Sequence, residues 1–338
     1  MTQPLVSVKM ITYNHAPFIA QAIEGVLQQK TTFPFELVIG EDCSTDGTRE
    51  TVFEYQKKYP GIIRVITSDK NVGMKINGLR VLKACQGKYL AICEGDDYWH
   101  SPYKLQKQVD YLEGHPECGL VCTDWDIYLH RTKKRIKNYN YSRGFRSPLH
   151  LTIEQIIGKE GAAVTTCTVM GRRKLVEQVI AEDPYLYQNE KFLMGDIQLF
   201  AELAVISKVS YYPESLATYR IHGESASRSK DLKRVARFQK NAFEIKFYLC
   251  DKHRLSKDIR RKVELDWCSV FLFLAFSERN AALAEEVRKK KTFTFKEWLL
   301  YCGAKNSMLN RLLRLLALCR SLFRRTIFGM YPIGSHLR

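Results

Sequence analysis

Three carboxylates, Glu94, Asp96 and Asp97, fall within four positions, directly after the apolar run at residues 89–93. Like charges at the end of a buried strand are costly unless something positive lies between them. A hard divalent cation fits that need, because Mg2+ and Mn2+ bind phosphate oxygens through one or two protein carboxylates and water. Composition alone leaves a second reading open, a turn whose acids face water and cap the next helix. Two other polar pairs also follow apolar runs: Tyr13 and Asn14 after residues 5–12, and Glu41 and Asp42 after residues 35–40. Asp196 stands in GDIQLFAELA (195–204), where an aspartate can cap a helix or act as a base.

The elements that must position these residues are legible as alternating periods. Residues 5–12 (LVSVKMIT) are rich in strand formers, and residues 16–30 put Phe18, Ile19, Ala22, Ile23, Val26 and Leu27 on one helical face. The pattern repeats through FELVIGED (35–42) and a helix over 48–59, then IIRVITSD (62–69) and a helix over 75–84, then KYLAICEGDD (88–97). Strands alternating with helices predict a parallel sheet, whose ligand crevice lies beyond the carboxyl ends of its strands. All three polar clusters fall at such ends. Beyond Asp97 the spacing predicts a helix over 103–112, a strand over 119–129 and a solvated turn at RTKKRIK (131–137). TTCTVM (165–170) leads into a helix over 174–180, and a further helix starts at GDIQLFAELA. VSYYPESLATYRIHGES (209–225) reads as strand, Pro-led turn, strand and loop, and everything after Asp231 as helix.

The chain has 338 residues, 45% of them hydrophobic and 12% aromatic, enough for one large core and a smaller appendage. Its ten cysteines show no Cys-x-x-Cys spacing, so thiols reduced in cytosol are expected. MTQPLVSVKMITYN lacks the basic and long apolar regions of a secretory leader, and no apolar run reaches spanning length, which places the chain on the cytoplasmic side. The net charge of +17 is uneven: residues 226–338 hold 26 of the 53 Lys and Arg but only 10 of the 36 acids. A nearly neutral body of residues 1–225 is thus joined to a basic helical region, 226–338. Within it, residues 308–328 put Arg311, Arg314, Arg320, Ser321, Arg324 and Arg325 on one half of a helical wheel, opposite Leu312, Leu315, Leu316, Leu322 and Phe323. Such a helix can lie in an anionic membrane surface or pack on the body with its arginines in water.

Four landmarks, MITYNH (10–15), IGEDCSTDGT (39–48), CEGDDYW (93–99) with Pro102 behind it, and GDIQLFAELA, follow in an order and at intervals that resemble the family 2 glycosyltransferases of GT-A fold. They span about two thirds of the chain; Glu41 and Glu94 stand where that family usually has aspartates. The resemblance implies an α/β GT-A fold with a mostly parallel central sheet flanked by helices. It implies that Thr12, Tyr13 and Asn14 flank a nucleotide base on which the Tyr13 ring stacks, and that Asp42 hydrogen-bonds the base edge, with Glu41 beside it. Asn71, Gly73 and Asn77 would lie near the ribose and diphosphate, and Glu94 and Asp97 near the ribose, the donor sugar or the cation. Asp96 would bind Mn2+ or Mg2+, with His222 completing the coordination, and Arg220 would offset diphosphate charge.

Asp196 matches the family's catalytic base, implying transfer of a sugar from a nucleotide diphosphate, UDP in the first instance, with inversion at the anomeric carbon. The acceptor implied is a saccharide or lipid-linked saccharide, in surface polysaccharide or glycolipid synthesis at the inner face of the plasma membrane. Two other classes compete with this reading. A nucleotidyltransferase would release pyrophosphate, and no Gly-rich phosphate loop is present; a basic nucleic-acid-binding protein would interleave stacking aromatics with Lys and Arg, whereas this tail is leucine-rich. No nucleic-acid partner is therefore expected.

Overall fold

The computed structural model describes residues 3–158, 160–189, 191–223 and 232–319. They fall into two compact units, one of residues 3–128 and 134–221, the other of residues 129–133 and 222–319.

The first unit opens with β1 (Val6–Thr12), α1 (Ile19–Leu27), β2 (Phe35–Glu41), α2 (Thr48–Lys58), β3 (Ile63–Ile66), α3 (Met74–Ala84) and β4 (Tyr89–Ile92). These four strands run parallel in the order β3-β2-β1-β4. β2 and β3 are laid down on one side of β1 and β4 on the other, so the direction of winding reverses between β1 and β4. That reversal opens a crevice at the carboxyl ends of these two strands. The strands read as apolar runs because helices cover both faces. Val8 and Met10 pack with Ile19, Ile23 and Leu37 on one side, while Val38 and Ile92 pack with Val81, Leu199 and Leu203 on the other.

The unit continues through β5 (Tyr98–Trp99), α4 (Lys104–Gly114), β6 (Cys118–Leu129), β7 (Lys134–Ile136), α5 (Tyr139–Ser142), β8 (Leu149–Leu151), α6 (Ile153–Gly158), β9 (Met170–Arg172), α7 (Arg173–Glu182), α8 (Pro184–Gln188), α9 (Asp196–Ile206) and β10 (Lys208–Ile221). The sheet extends as β4-β9-β6-β10-β5, and β9 pairs antiparallel with both β4 and β6. The parallel pattern thus belongs to the N-terminal half, and the weaker alternation after Asp97 marks the change to antiparallel pairing. Two local expectations are corrected. The second half of RTKKRIK is strand β7 on the edge of β6, with Arg135 Nε 2.7 Å from Asp126 Oδ2. The Pro-led turn is absent: β10 runs unbroken through Pro213, which lies between the segment paired with β8 (Val209 to Tyr211) and the segment paired with β5 (Ala217 and Thr218). Proline is tolerated there because the missing N–H falls outside both of those ladders.

The second unit is helical among its described residues after Gly223: α10 (Leu232–Lys252), α11 (Lys257–Glu278), α12 (Ala281–Arg288), α13 (Phe295–Lys305) and α14 (Ser307–Cys319). α11 packs against α10, α12 and α13, and α14 packs against α13. Side-chain caps start α11 (Ser256), α12 (Asn280) and α13, where Thr294 and Glu297 cap each other's backbone. On α14, Leu313 is buried and Asn310 Nδ2 donates to Phe276 O and Gly303 O, whereas Met308, Leu312, Leu315 and Leu316 are exposed. One face of this helix therefore packs while an apolar stripe opposite it does not. Arg320, Ser321, Leu322, Phe323, Arg324 and Arg325 lie outside the described residues.

Candidate active site

Parallel register brings the ends of β1 and β2 level, pairing Thr12 with Glu41, and Asp42 N donates to Thr12 O at 3.1 Å. The loop after β1 is then tied down by its neighbour. Asn14 N donates to Ser44 Oγ (3.0 Å), His15 N to Thr48 Oγ1 (2.8 Å), Ala16 N to Asp46 Oδ2 (2.9 Å) and Thr45 N to Asn14 Oδ1 (2.9 Å). Asn14 takes φ +55°, a left-handed conformation that asparagine tolerates better than most residues. Tyr13, held between these anchors, is 43% exposed, which leaves its ring open to a planar partner.

Asp42 is buried and accepts from Val72 N (2.8 Å) and Gly73 N (2.9 Å), and Asn71 Oδ1 also accepts from Gly73 N (3.0 Å). Asp42, Asn71 and Gly73 are therefore one assembly at the edge of the crevice. Glu41 and Asn77, two further residues of the expected site, find partners inside the fold. Glu41 is fully buried: Oε1 accepts from Ser44 N at 2.6 Å, and Oε2 lies 2.8 Å from Arg49 Nε and accepts from Thr67 Oγ1. Asn77 is buried in α3 and donates to Gly40 O at 2.8 Å, bracing the helix against β2. Both side chains hold loops and elements together, because the carboxylate and the amide find their partners inside the fold.

The acidic loop follows β4. Gly95 separates Glu94 from Asp96 because the chain passes close to β1 there: a Cβ at Gly95 would lie 2.6 Å from Thr12 Oγ1 and 3.0 Å from His15 Nδ1. His15 Nε2 stands 4.0 Å from Asp96 Oδ2, so this histidine, quoted in MITYNH but given no role, belongs to the crevice. Burial and the neighbouring Asp96 push Glu94 up to about 7, against the weaker pull of Thr166 and Lys9. Its Oε2 is buried without a hydrogen-bond partner among the described residues. Burial, with Asp96 and Glu94 beside it, raises Asp97 well above the usual carboxylate range, although Arg220 N donates to its Oδ1 at 2.8 Å. The loop is thus a concentration of carboxyls whose ionised forms are disfavoured by burial and by one another, the condition in which a bound cation would stabilise a site. Among the described residues no group of three or more His, Cys, Asp or Glu side chains forms a closed metal cage. Cations that keep water and take phosphate oxygens do not need such a cage.

Arg220 clamps this loop. Its Nε donates to Asp96 O (2.8 Å) and its terminal nitrogen to Gln21 Oε1 (2.6 Å). The guanidinium lies 4.9 Å from the Phe18 ring centroid, 5.1 Å from that of Tyr98 and 5.4 Å from that of Tyr128. A planar cation that bonds the loop backbone while stacking on three rings fixes β10, α1 and the acidic loop together. His222 follows β10 along the chain and opens the second unit.

Asp196 is the first residue of α9, and its Oδ1 accepts from Ile197 N at 2.8 Å. It keeps access to solvent, yet the protein crowded around it raises its carboxyl above the ordinary value; the hydrogen bonds and Lys9 oppose that rise. The helix N-terminus favours the anion as well. Lys9, in the middle of β1, is the other residue that sequence reasoning passed over. Its signal was a lysine inside the otherwise apolar strand VSVKMIT.

A sheet wound in this order, with an acidic loop at its point of reversal, defines the GT-A class of α/β folds. The chain belongs to Glycosyl transferase family 2, whose description matches residues 7–180, just over half of its length. It is 46% identical over 221 residues to the uncharacterized protein Rv1520 of Mycobacterium tuberculosis, covering 64% of this chain and 58% of that one. It is 36% identical over 125 residues to the putative teichuronic acid biosynthesis glycosyltransferase TuaG of Bacillus subtilis, covering 37% of this chain and 48% of that one. Two solved structures share the fold. Staphylococcus aureus TarS (1–349) with UDP-GlcNAc matches at TM-score 0.55 and 16% identity, over 88% of this chain and 79% of that one. The mannosyltransferase PcManGT of Pyrobaculum calidifontis with GDP-Man and Mn2+ matches at TM-score 0.54 and 14% identity, over 93% and 88%.

Proposed function

We propose that this chain transfers a sugar from a nucleotide diphosphate to an acceptor hydroxyl with inversion at the anomeric carbon. The observation that carries the reading is the crowded acidic loop 94–97 at the sheet's point of reversal, in the same unit as an exposed Tyr13 and the solvent-accessible Asp196 at a helix start. In it Tyr13 stacks on the base and the Asp42–Asn71–Gly73 assembly receives the base edge and ribose. A divalent cation, Mn2+ or Mg2+, held by Asp96, would neutralise charge on the departing diphosphate. Asp196 accepts the acceptor's hydroxyl proton as that oxygen bonds to the anomeric carbon and the bond to the diphosphate oxygen breaks.

UDP is the first nucleotide to test and GDP the second, since TarS was solved with UDP-GlcNAc and PcManGT with GDP-Man. The similarity to TuaG supports surface polysaccharide synthesis on a saccharide or lipid-linked saccharide acceptor. No helix among the described residues is long and apolar enough to cross a membrane. We place residues 1–225 at the cytoplasmic face of the membrane as the catalytic part, with the basic helical region 226–338 docking on anionic lipid through the exposed stripe of α14.

The test is Asp196→Asn in a panel of nucleotide sugars with Mn2+. Transfer should fall by about 10² to 10⁴ while donor affinity holds, because an amide oxygen can still accept from Ile197 N but takes no proton from the acceptor. Near-normal transfer would remove Asp196 from the chemistry. Release of pyrophosphate instead of nucleoside diphosphate would favour the nucleotidyltransferase reading, and retention of configuration would defeat the single displacement.

A further inference from the structure

Residues 134–153 hold five Lys and Arg and no Asp or Glu, inside a body that is otherwise close to neutral. Arg135 is met by Asp126, but Arg143 and Arg146 fall in YNYSRGFR (139–146), interleaved with aromatic residues. Strand register places this segment. Val121 on β6 and Ala91 on β4 both pair with Met170 of β9, which runs antiparallel to each, so β6 and β4 point the same way. Asp124, three residues on from Val121, is then level with Glu94, three residues on from Ala91, across two strand spacings or about 10 Å. The Asp124 carboxylate is buried and accepts from Asn140 N (2.8 Å) and Tyr141 N (2.9 Å), and Asp126 Oδ1 accepts from Asn138 N (2.9 Å). Asn140 exchanges two hydrogen bonds of 2.9 Å with Ala163, and Tyr211 Oη donates to Phe145 O at 3.1 Å. The backbone of residues 138–145 is thereby fixed at the crevice end of the sheet, while Tyr141, Arg143 and Arg146 stay exposed. The Arg143 guanidinium lies 5.3 Å from the Tyr139 ring centroid and 5.9 Å from that of Phe145, and the Arg146 guanidinium 5.4 Å from that of Tyr141. Stacking holds the faces of these cations and leaves their N–H edges outward; neither side chain makes a hydrogen bond or ion pair among the described residues.

We propose that residues 139–146 form a docking site for an anionic saccharide. The N–H edges of Arg143 and Arg146 take its carboxylate or phosphate, and the exposed Tyr141 ring takes the C–H face of the adjoining sugar. The inference rests on the transferase reading, in which this sugar is the acceptor, and it names the acceptor's class as acidic. Nucleic acid would use the same residue types. The saccharide is the better fit because the segment is anchored level with the acidic loop, on the side of the sheet where a transferase must admit its acceptor.

Calorimetry on the full chain at low salt compares tetragalacturonate, mannose 6-phosphate, neutral maltotetraose and an oligouridylate. An acidic sugar should bind in preference to maltotetraose, and which of the two binds tells a carboxylate from a phosphate. Arg143→Gln with Arg146→Gln should weaken that binding by about tenfold or more, with an unchanged thermal midpoint because both side chains are exposed. Lys134→Gln with Lys137→Gln removes the same charge from β7 and its end, and should weaken binding by less than about threefold. Equal losses in the two pairs would show diffuse attraction and overturn the site, as would the absence of any preference for an acidic sugar. Tighter binding of the oligouridylate than of either sugar, lost in the arginine pair, would overturn it in favour of nucleic acid. None of these outcomes depends on turnover, so they separate from the Asp196→Asn result, which tests the transfer itself.

Discussion

Replacing Glu94 with glutamine should stabilise the protein above neutral pH, against the usual expectation for a residue at an active site. The carboxyl is held at about 7 instead of 4.5, chiefly by burial and by Asp96. Each pH unit of displacement corresponds to about 1.4 kcal/mol, so ionising Glu94 within the fold costs on the order of 3 kcal/mol. The sign follows from proton binding. Between about pH 4.5 and pH 7 the unfolded chain releases this proton while the folded one keeps it, so Glu94 lowers stability across that window and by a constant amount above it. Glutamine keeps the shape and loses the slope. In EDTA, wild type and Glu94→Gln should unfold together near pH 4, and the variant should be more stable by about 3 kcal/mol at pH 8, or roughly 6 to 12 °C for a unit of this size. Thermal unfolding followed by circular dichroism at a series of pH values measures the difference. Adding Mn2+ with UDP should narrow it, because wild type gains a counter-charge that the variant does not need. Parallel stability curves across the whole range would show that the Glu94 charge is compensated in the folded state and would remove the main argument for a cation at this loop.

Tyr13→Ala should weaken nucleotide binding by about 1 kcal/mol or more by calorimetry, since an exposed ring that stacks leaves nothing in its place; unchanged affinity would take Tyr13 out of the site. For the second unit, Leu312→Ser with Leu315→Ser should reduce sedimentation with vesicles containing phosphatidylglycerol and spare cleavage of the soluble donor. Equal binding by this variant would exclude the α14 stripe as the docking face. Point substitutions are the sharper tool there, because truncation before Met308 would also remove the buried Leu313 and Asn310.

The strand and helix alternation of residues 5–97, the acidic loop and the helix opening at Asp196 were all legible in the sequence. Each is a local signal: a two- or 3.6-residue period, a turn residue, or a polar cluster following an apolar run. The sequence also marked Lys9 as an anomaly without saying what it faces. What lay beyond it were properties set by partners distant in the chain. Glu41 turns inward because Arg49 and the Ser44 amide are there to meet it, and Asn77 because the Gly40 carbonyl is. Arg220 clamps Asp96 across 124 positions, and Pro213 sits inside a strand because the segments on either side of it pair with β8 and β5. Composition and periodicity determine which face of an element is buried. Which charge meets which across the crevice depends on strand order and register, and these are decided only when the whole sheet has formed.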